Sequence, residues 1–195
     1  MAKVRRTESL TTEEMVRTAR ALIDERGIAA CSMRTLAAEL IVQPPALYRR
    51  VQDKDELLSL VLADLFGEVT VPARGTWQER TGGVMRRMRR LLLRHPHLLT
   101  LYQQSHMRDE DIDRLAERGA QPLRDAGFEP EAATFAVTVL AMYTLGMTSV
   151  ATSLGIDDHE MYEFGLMKII EGLTPEGEGR WKPSSGSRRS RRSSS

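Results

Sequence analysis

Residues 43–50 read Gln-Pro-Pro-Ala-Leu-Tyr-Arg-Arg, and Lys54 follows shortly after. Gln43, Tyr48, Arg49, Arg50 and Lys54 carry hydrogen-bond donors, four of them on long side chains. The guanidinium fork of Arg matches the paired acceptors on a guanine edge, and Tyr can reach a phosphate or a base edge. Pro44, Pro45 and Ala46 are compact and leave the donors beside them uncovered. Arg34 and Thr35, ten residues upstream, open a neighbouring short segment and add a second set of polar side chains. None of these residues forms a nucleophile–base pair, so the chemistry they suit is recognition of a nucleic-acid backbone and base edges.

The remaining polar residues do not assemble a reaction centre. No GxSxG, P-loop, GxGxxG, CxxC or HExxH pattern is present. His95-Pro96-His97, His106 and His159 lack thiolate companions and any zinc-ligand spacing, and read as structural or surface histidines. The run Asp109, Glu110, Asp111, Asp113 lacks the Gly and the distal Glu of a calcium loop. It suits instead the positive end of a helix dipole. Cys31 precedes a helix start, where a thiol pKa can fall, but no His accompanies it in sequence, so a small buried residue is expected. The reading calls for no enzyme, no metal and no cofactor.

Stepping along the chain, helix signals recur and strand-like alternation is missing, giving an all-α expectation. Thr11–Glu14, Asp53–Glu56 and Thr76–Glu79 have capping-box spacing, and Ser32 is a further cap. Helices are expected after Thr11 up to Gly27, after Ser32 through Leu40, and from Pro44-Pro45 through Leu47, Tyr48 and Val51. The next begins at Asp53 with the stripe Leu57, Leu58, Val61, Leu62, Leu65, Phe66. Residues 70–76 read as a turn. Further helices are expected from Thr76 to about Arg94, from Asp109 toward Gly127, from Pro130 to about Leu154, and over about 158–172 with Met161, Phe164, Met167 and Ile170 on one face. Arg86, Arg87, Arg89, Arg90 and Arg94 read as a solvated basic face. Residues 174–195, rich in Gly, Pro, Ser and Arg, cannot bury apolar surface and read as a disordered basic tail.

The formal net charge is +1, with ten Lys/Arg against seven Asp/Glu in residues 1–54, twelve against eighteen in 55–173, and six against two beyond. A basic front joined to an acidic body favours approach of the front end to phosphates. One cysteine excludes an intrachain disulfide framework. No run of 18 uninterrupted apolar residues and no apolar stretch after the basic start suggest a membrane span or secretory signal, so the expected address is the cytoplasm, with no membrane partner.

Residues 32–58, SMRTLAAELIVQPPALYRRVQDKDELL, resemble the TetR family of bacterial transcriptional regulators. Gly27, Ser32, Leu36, Ala37, Leu40, Val42, Leu47, Tyr48, Val51, Lys54 and Leu57-Leu58 carry the likeness. The resemblance implies an N-terminal three-helix helix-turn-helix domain over 1–53 and a C-terminal helical ligand-binding and dimerisation domain over 54–173. It implies phosphate contacts by Tyr48 and Lys54, with Arg34 near the DNA. Two positions depart from the pattern. Ile41 replaces the usual turn Gly, and a β-branched residue resists positive φ. Arg49-Arg50 replaces the usual aromatic or His pair, so no operator sequence carries over.

A fainter likeness to the tetracycline-repressor branch runs to about Leu173 through Trp77, His95-Pro96, Gly127-Phe128 and Leu145-Gly146. It implies a homodimer paired through the last two long helices, double-stranded operator DNA as partner, and a small organic effector that releases a repressor. The implied effector pocket takes Phe66, Met85, Met88, Leu92, Tyr102, His106, Met107, Phe135, Met142 and Tyr143. Tyr102 stands where the tetracycline repressor has a metal-binding His, so metal-bound tetracycline is not the expected ligand. The competing readings are an all-α protein-interaction adaptor and an α-helical enzyme; the latter lacks any acid–base or nucleophile constellation.

Overall fold

The protein is described by a computed structural model over residues 10–104, 109–156 and 158–173. These residues form nine α-helices and one 3-10 turn, with no strand among them. The helices are α1 Thr12–Arg26, α2 Met33–Glu39, α3 Pro44–Leu47, α4 Lys54–Gly67, α5 Trp77–Arg94, α6 Pro96–Gln103, α7 Asp109–Asp125, α8 Pro130–Leu154 and α9 His159–Glu171; the 3-10 turn Ile28–Ala30 follows α1. The all-α expectation holds. The segment after Pro96, unassigned from sequence, is a helix, with Pro96 at its first turn where a missing N–H costs nothing.

Caps explain most of the boundaries. Thr11, Ser32 and Asp53 each accept the backbone N–H three residues on, at 3.1, 3.0 and 2.8 Å. Thr76 and Glu79 complete a reciprocal box, worth about 1 kcal/mol. The Asp53–Glu56 pair differs from its expected form, because Glu56 reaches back to the N–H of Gln52, one residue earlier.

α1 to α4 share one core. Met15, Ala19, Leu22, Ile23, Leu36, Leu47, Leu57, Leu58 and Val61 are all buried, each large aliphatic contributing about 1.5–3 kcal/mol of burial. Ion pairs lock the same unit: Arg20 bridges α1 to Asp64 and Glu68 around the end of α4, and Arg26 reaches Glu39 of α2. His95 donates to Asp24 at 2.8 Å, fastening α1 to the end of α5.

α8 is 25 residues long with a best-window mean hydropathy of 1.5, enough by length and composition to cross a membrane, although it has no unbroken run of 18 apolar residues. Only 33% of that window is buried in the fold. One side packs on α5, α7 and α9, while Val139, Val150 and Leu154 stand exposed on the other.

On α9, Met161, Phe164 and Met167 are exposed, but Ile170 is buried. This corrects the single-face expectation: each three-residue step falls about 60° short of a full turn, so three steps carry Ile170 to the opposite side.

The basic set on α5 also divides. Arg89 is buried against Asp158, Arg86 holds Glu163 through two nitrogens at 2.7–2.9 Å, and Arg87 donates to Thr70. These are anchors rather than a uniformly solvated face.

Candidate DNA-binding surface and effector cavity

α2 ends in a Schellman turn. The Ile41 N–H reaches the Ala38 carbonyl at 3.1 Å, and the Val42 N–H reaches the Ala37 carbonyl at 2.9 Å. That geometry demands positive φ at Ile41, which has φ 56, alone among the described non-glycine residues. The same motif at the end of α7 and of α8 uses Gly127 and Gly155. Ala37 and Val42 are buried at the α2–α3 corner.

α3 is one turn long, opened by Pro44-Pro45 and closed at Leu47, shorter than the sequence implies. The chain keeps a helical path beyond it, since Arg50 and Val51 N–H groups both bond the Leu47 carbonyl. Gln43, Pro45, Tyr48, Arg49 and Arg50 are exposed, Arg34 is exposed beside them, and Pro44, Thr35 and Lys54 are half-buried. Ala46 departs from its assignment as a contact residue: it is buried and serves the α3 packing. The Thr35 hydroxyl lies 2.7 Å from that of the cap Ser32.

Arg34, Arg49, Arg50 and Lys54 make no ion pair among the described residues, and neither do Arg17, Arg74, Arg90 and Arg94, whereas Arg20, Arg26, Arg80, Arg86, Arg89 and Arg114 are paired. Arg50 acts on the Glu13 carboxyl at longer range. Lys54 is the first residue of α4, next to the Asp53 carboxylate that caps the helix start through the Glu56 N–H. Cys31 is buried behind this surface, and burial pushes its thiol pKa up, against the fall a helix start permits.

Behind the head, α4, α5, α6, α7 and α8 surround an apolar cavity of about 130 Å³ that is open on one side. Five of the residues expected there line it: Phe66, Met85, Met88, Tyr102 and Met142. Tyr102 meets Phe66 edge-on at 5.4 Å between ring centroids. Three others do not line it. Leu92 is fully buried a turn further along α5. Phe135 is half-exposed on the outward side of α8. Tyr143 stacks on Tyr162 and donates to the Tyr162 carbonyl at 3.0 Å, lying over Gly165 where a Cβ would collide with its ring. His106 and Met107 lie outside the described residues.

The wall missed from sequence is α7, through Ile112, Leu115, Ala116 and Gly119, with Val137, Thr138, Ala141 and Leu145 of α8 opposite. The 3–4–7 spacing on α7 is the signal that could have found it. Among the described residues no group of three or more His, Cys, Asp or Glu stands together as a metal site.

A helix-turn-helix with exposed cations outside any ion pair, joined to a helical body, is the arrangement of DNA-binding regulators. Residues 16–61 match the model for "bacterial regulatory proteins, tetR family", and residues 71–160 match "tetracyclin repressor-like, C-terminal domain". The chain belongs to the TetR family of transcriptional regulators. It is 31% identical over 142 residues to an HTH-type transcriptional regulator of Saccharopolyspora erythraea, covering 72% of this chain and 60% of that one; it thus spans less than two thirds of that curated relative. Streptomyces coelicolor ActR, solved with (S)-DNPA, superimposes with TM-score 0.71 at 29% identity, over 84% of this chain and 96% of that one. A BioQ structure solved with its double-stranded DNA operator gives TM-score 0.67 at 27% identity, over 84% and 98%.

Proposed function

We propose that the chain is a dimeric repressor that reads a palindromic operator with residues 1–53 and is released when a small organic molecule enters the cavity of residues 54–173. The carrying observation is the cluster Arg34, Arg49, Arg50 and Lys54 around the helix-turn-helix, four cations outside any ion pair among the described residues, with only Arg50 acting on a carboxylate, Glu13, at longer range. Arg49 and Arg50 read base edges, Tyr48 and Lys54 hold phosphates, and Arg34 steadies the approach of α2. Gln43, Pro44 and Pro45 flank the reading surface. The exposed apolar faces of α8 and α9 supply the two-fold interface that sets half-site spacing. Residues 174–195 add non-specific phosphate affinity. The working compartment is the one holding the DNA, the cytoplasm.

Phe66 connects the two functions, lying on α4 with Lys54 at the other end of the same helix. A ligand that moves the cavity wall tilts that helix and changes the separation of the two reading heads. Because coupling is reciprocal, a ligand favouring the spread form weakens DNA binding by the same factor.

The test is a gel shift with the DNA upstream of the chain's own gene, comparing wild type with a Tyr48→Ala/Arg49→Ala variant shown to remain dimeric. Binding in wild type and its loss in the variant is expected. Undiminished binding by the variant places the reader elsewhere.

A further inference from the structure

Among the described residues no charged side chain lines the cavity, and the only hydroxyls lining it belong to Tyr102 and Thr138. Thr138 spends its proton on the Thr134 carbonyl at 2.8 Å. The Tyr102 hydroxyl makes no hydrogen bond among the described residues, although the ring is half-buried against Phe66. Burial raises the Tyr102 pKa, so the phenol keeps its proton at neutral pH. The described lining therefore offers apolar contact and one unspent donor. A carboxylate placed there would lose its hydration without gaining a cation, at a cost of several kcal/mol.

We infer that the effector is an uncharged, largely apolar molecule of about one ring, held by a single oxygen that accepts from the Tyr102 hydroxyl. This rests on the cavity being the effector site. The size follows from the volume: an apolar cavity of roughly 150 Å³ holds a benzene ring, and this one is about 130 Å³. Ile112 and Met142, both lining and both exposed, mark its open side, where a larger ligand can extend outward. Phe66 and Tyr102 touch edge to face, so an oxygen seated on the hydroxyl engages a ring packed directly on α4.

Ligand-observed NMR titration of the full chain with acetophenone, cumene and benzoate tests this. The first two have nearly the same shape and differ in the carbonyl; the third carries a charge. Tyr102→Phe, which keeps the ring contact, should weaken acetophenone about fivefold and leave cumene unchanged, the effect of one hydrogen bond. Benzoate should bind at least about tenfold more weakly than acetophenone. Equal effects of the substitution on both neutral probes, benzoate binding as tightly as acetophenone, or no binding of acetophenone overturns the inference. Operator release is read in parallel. Neutral probes that bind through Tyr102 without releasing DNA refute the regulatory reading and leave only the cavity's preference for neutral ligands standing. Preferential release by benzoate does the reverse.

Discussion

Ile41 shows how one residue can work against its own fold. The α2 turn closes only with positive φ, and a β-branched side chain in that region carries about 1–2 kcal/mol of strain. Its side chain is 54% exposed, so little burial offsets this. Ile41→Gly should therefore raise the denaturant midpoint, by up to about 1 kcal/mol after the extra entropy of Gly in the unfolded chain. An unchanged or lower midpoint would show that Ile41 makes stabilising contacts beyond the turn. The oddity was legible in the sequence as an Ile where a turn Gly belongs. What sequence could not supply was the closing of the Schellman turn itself, because two backbone bonds at the helix end outweigh the local preference of one side chain. Burial of Ala46 is hidden from the sequence for a related reason: in a helix of one turn opened by two prolines, Pro45 and Tyr48 are exposed while Ala46 is buried beside Leu47.

At the level of elements, the caps and glycine stops made nearly every helix boundary legible, since each is a local bond between residues three or four apart. Long-range partners were not. The arginines of α5 look alike in sequence, yet Arg89 is drawn into the interior by Asp158 at the start of α9 and by the face of Tyr162, 4.3 Å from its guanidinium carbon. That cluster fixes α9 on α5 and α8. The Thr144 hydroxyl donates to Leu140, so the Tyr162 hydroxyl donates to Thr144, 3.3 Å away. Burial is the main reason the Tyr162 phenol is pushed up to about 12. Its folded pKa is thus above the unfolded value of about 10, so the unfolded state loses its proton first as pH rises. The stabilisation is intact below about pH 10 and lost as pH climbs toward 12, amounting to about 2–3 kcal/mol. Tyr162→Phe should cost about 1 kcal/mol at pH 7 from the lost hydrogen bond and should flatten the fall in stability between pH 10 and 12. Chemical denaturation at stepped pH gives the slope; an equally steep fall in the variant assigns alkaline sensitivity to another group.

For the whole molecule, the outward faces of α8 and α9 carry more apolar surface than a solvated chain needs. Val139, Val150 and Leu154 lie on one, Met161, Phe164 and Met167 on the other, and the exposures run from 49% to 67%. Contiguous apolar surface of this kind marks an interface. A second copy satisfies it, because a two-fold axis lets each patch cover its own equivalent. Phe164 is 63% exposed, so Phe164→Glu leaves the interior of one subunit untouched. In the dimer, however, two carboxylates would be buried together without partners. The dimer dissociation constant should rise at least about 100-fold, a change of some 3 kcal/mol. Sedimentation at stepped concentration would show monomer where wild type is dimeric, with helicity by circular dichroism unchanged. Operator affinity should fall in parallel, since a monomer engages a single half-site, and Phe164→Leu should preserve both dimer and binding. A Phe164→Glu chain that stays dimeric with full operator affinity would move the interface off this face, and with it the mechanism by which the cavity sets the spacing of the reading heads.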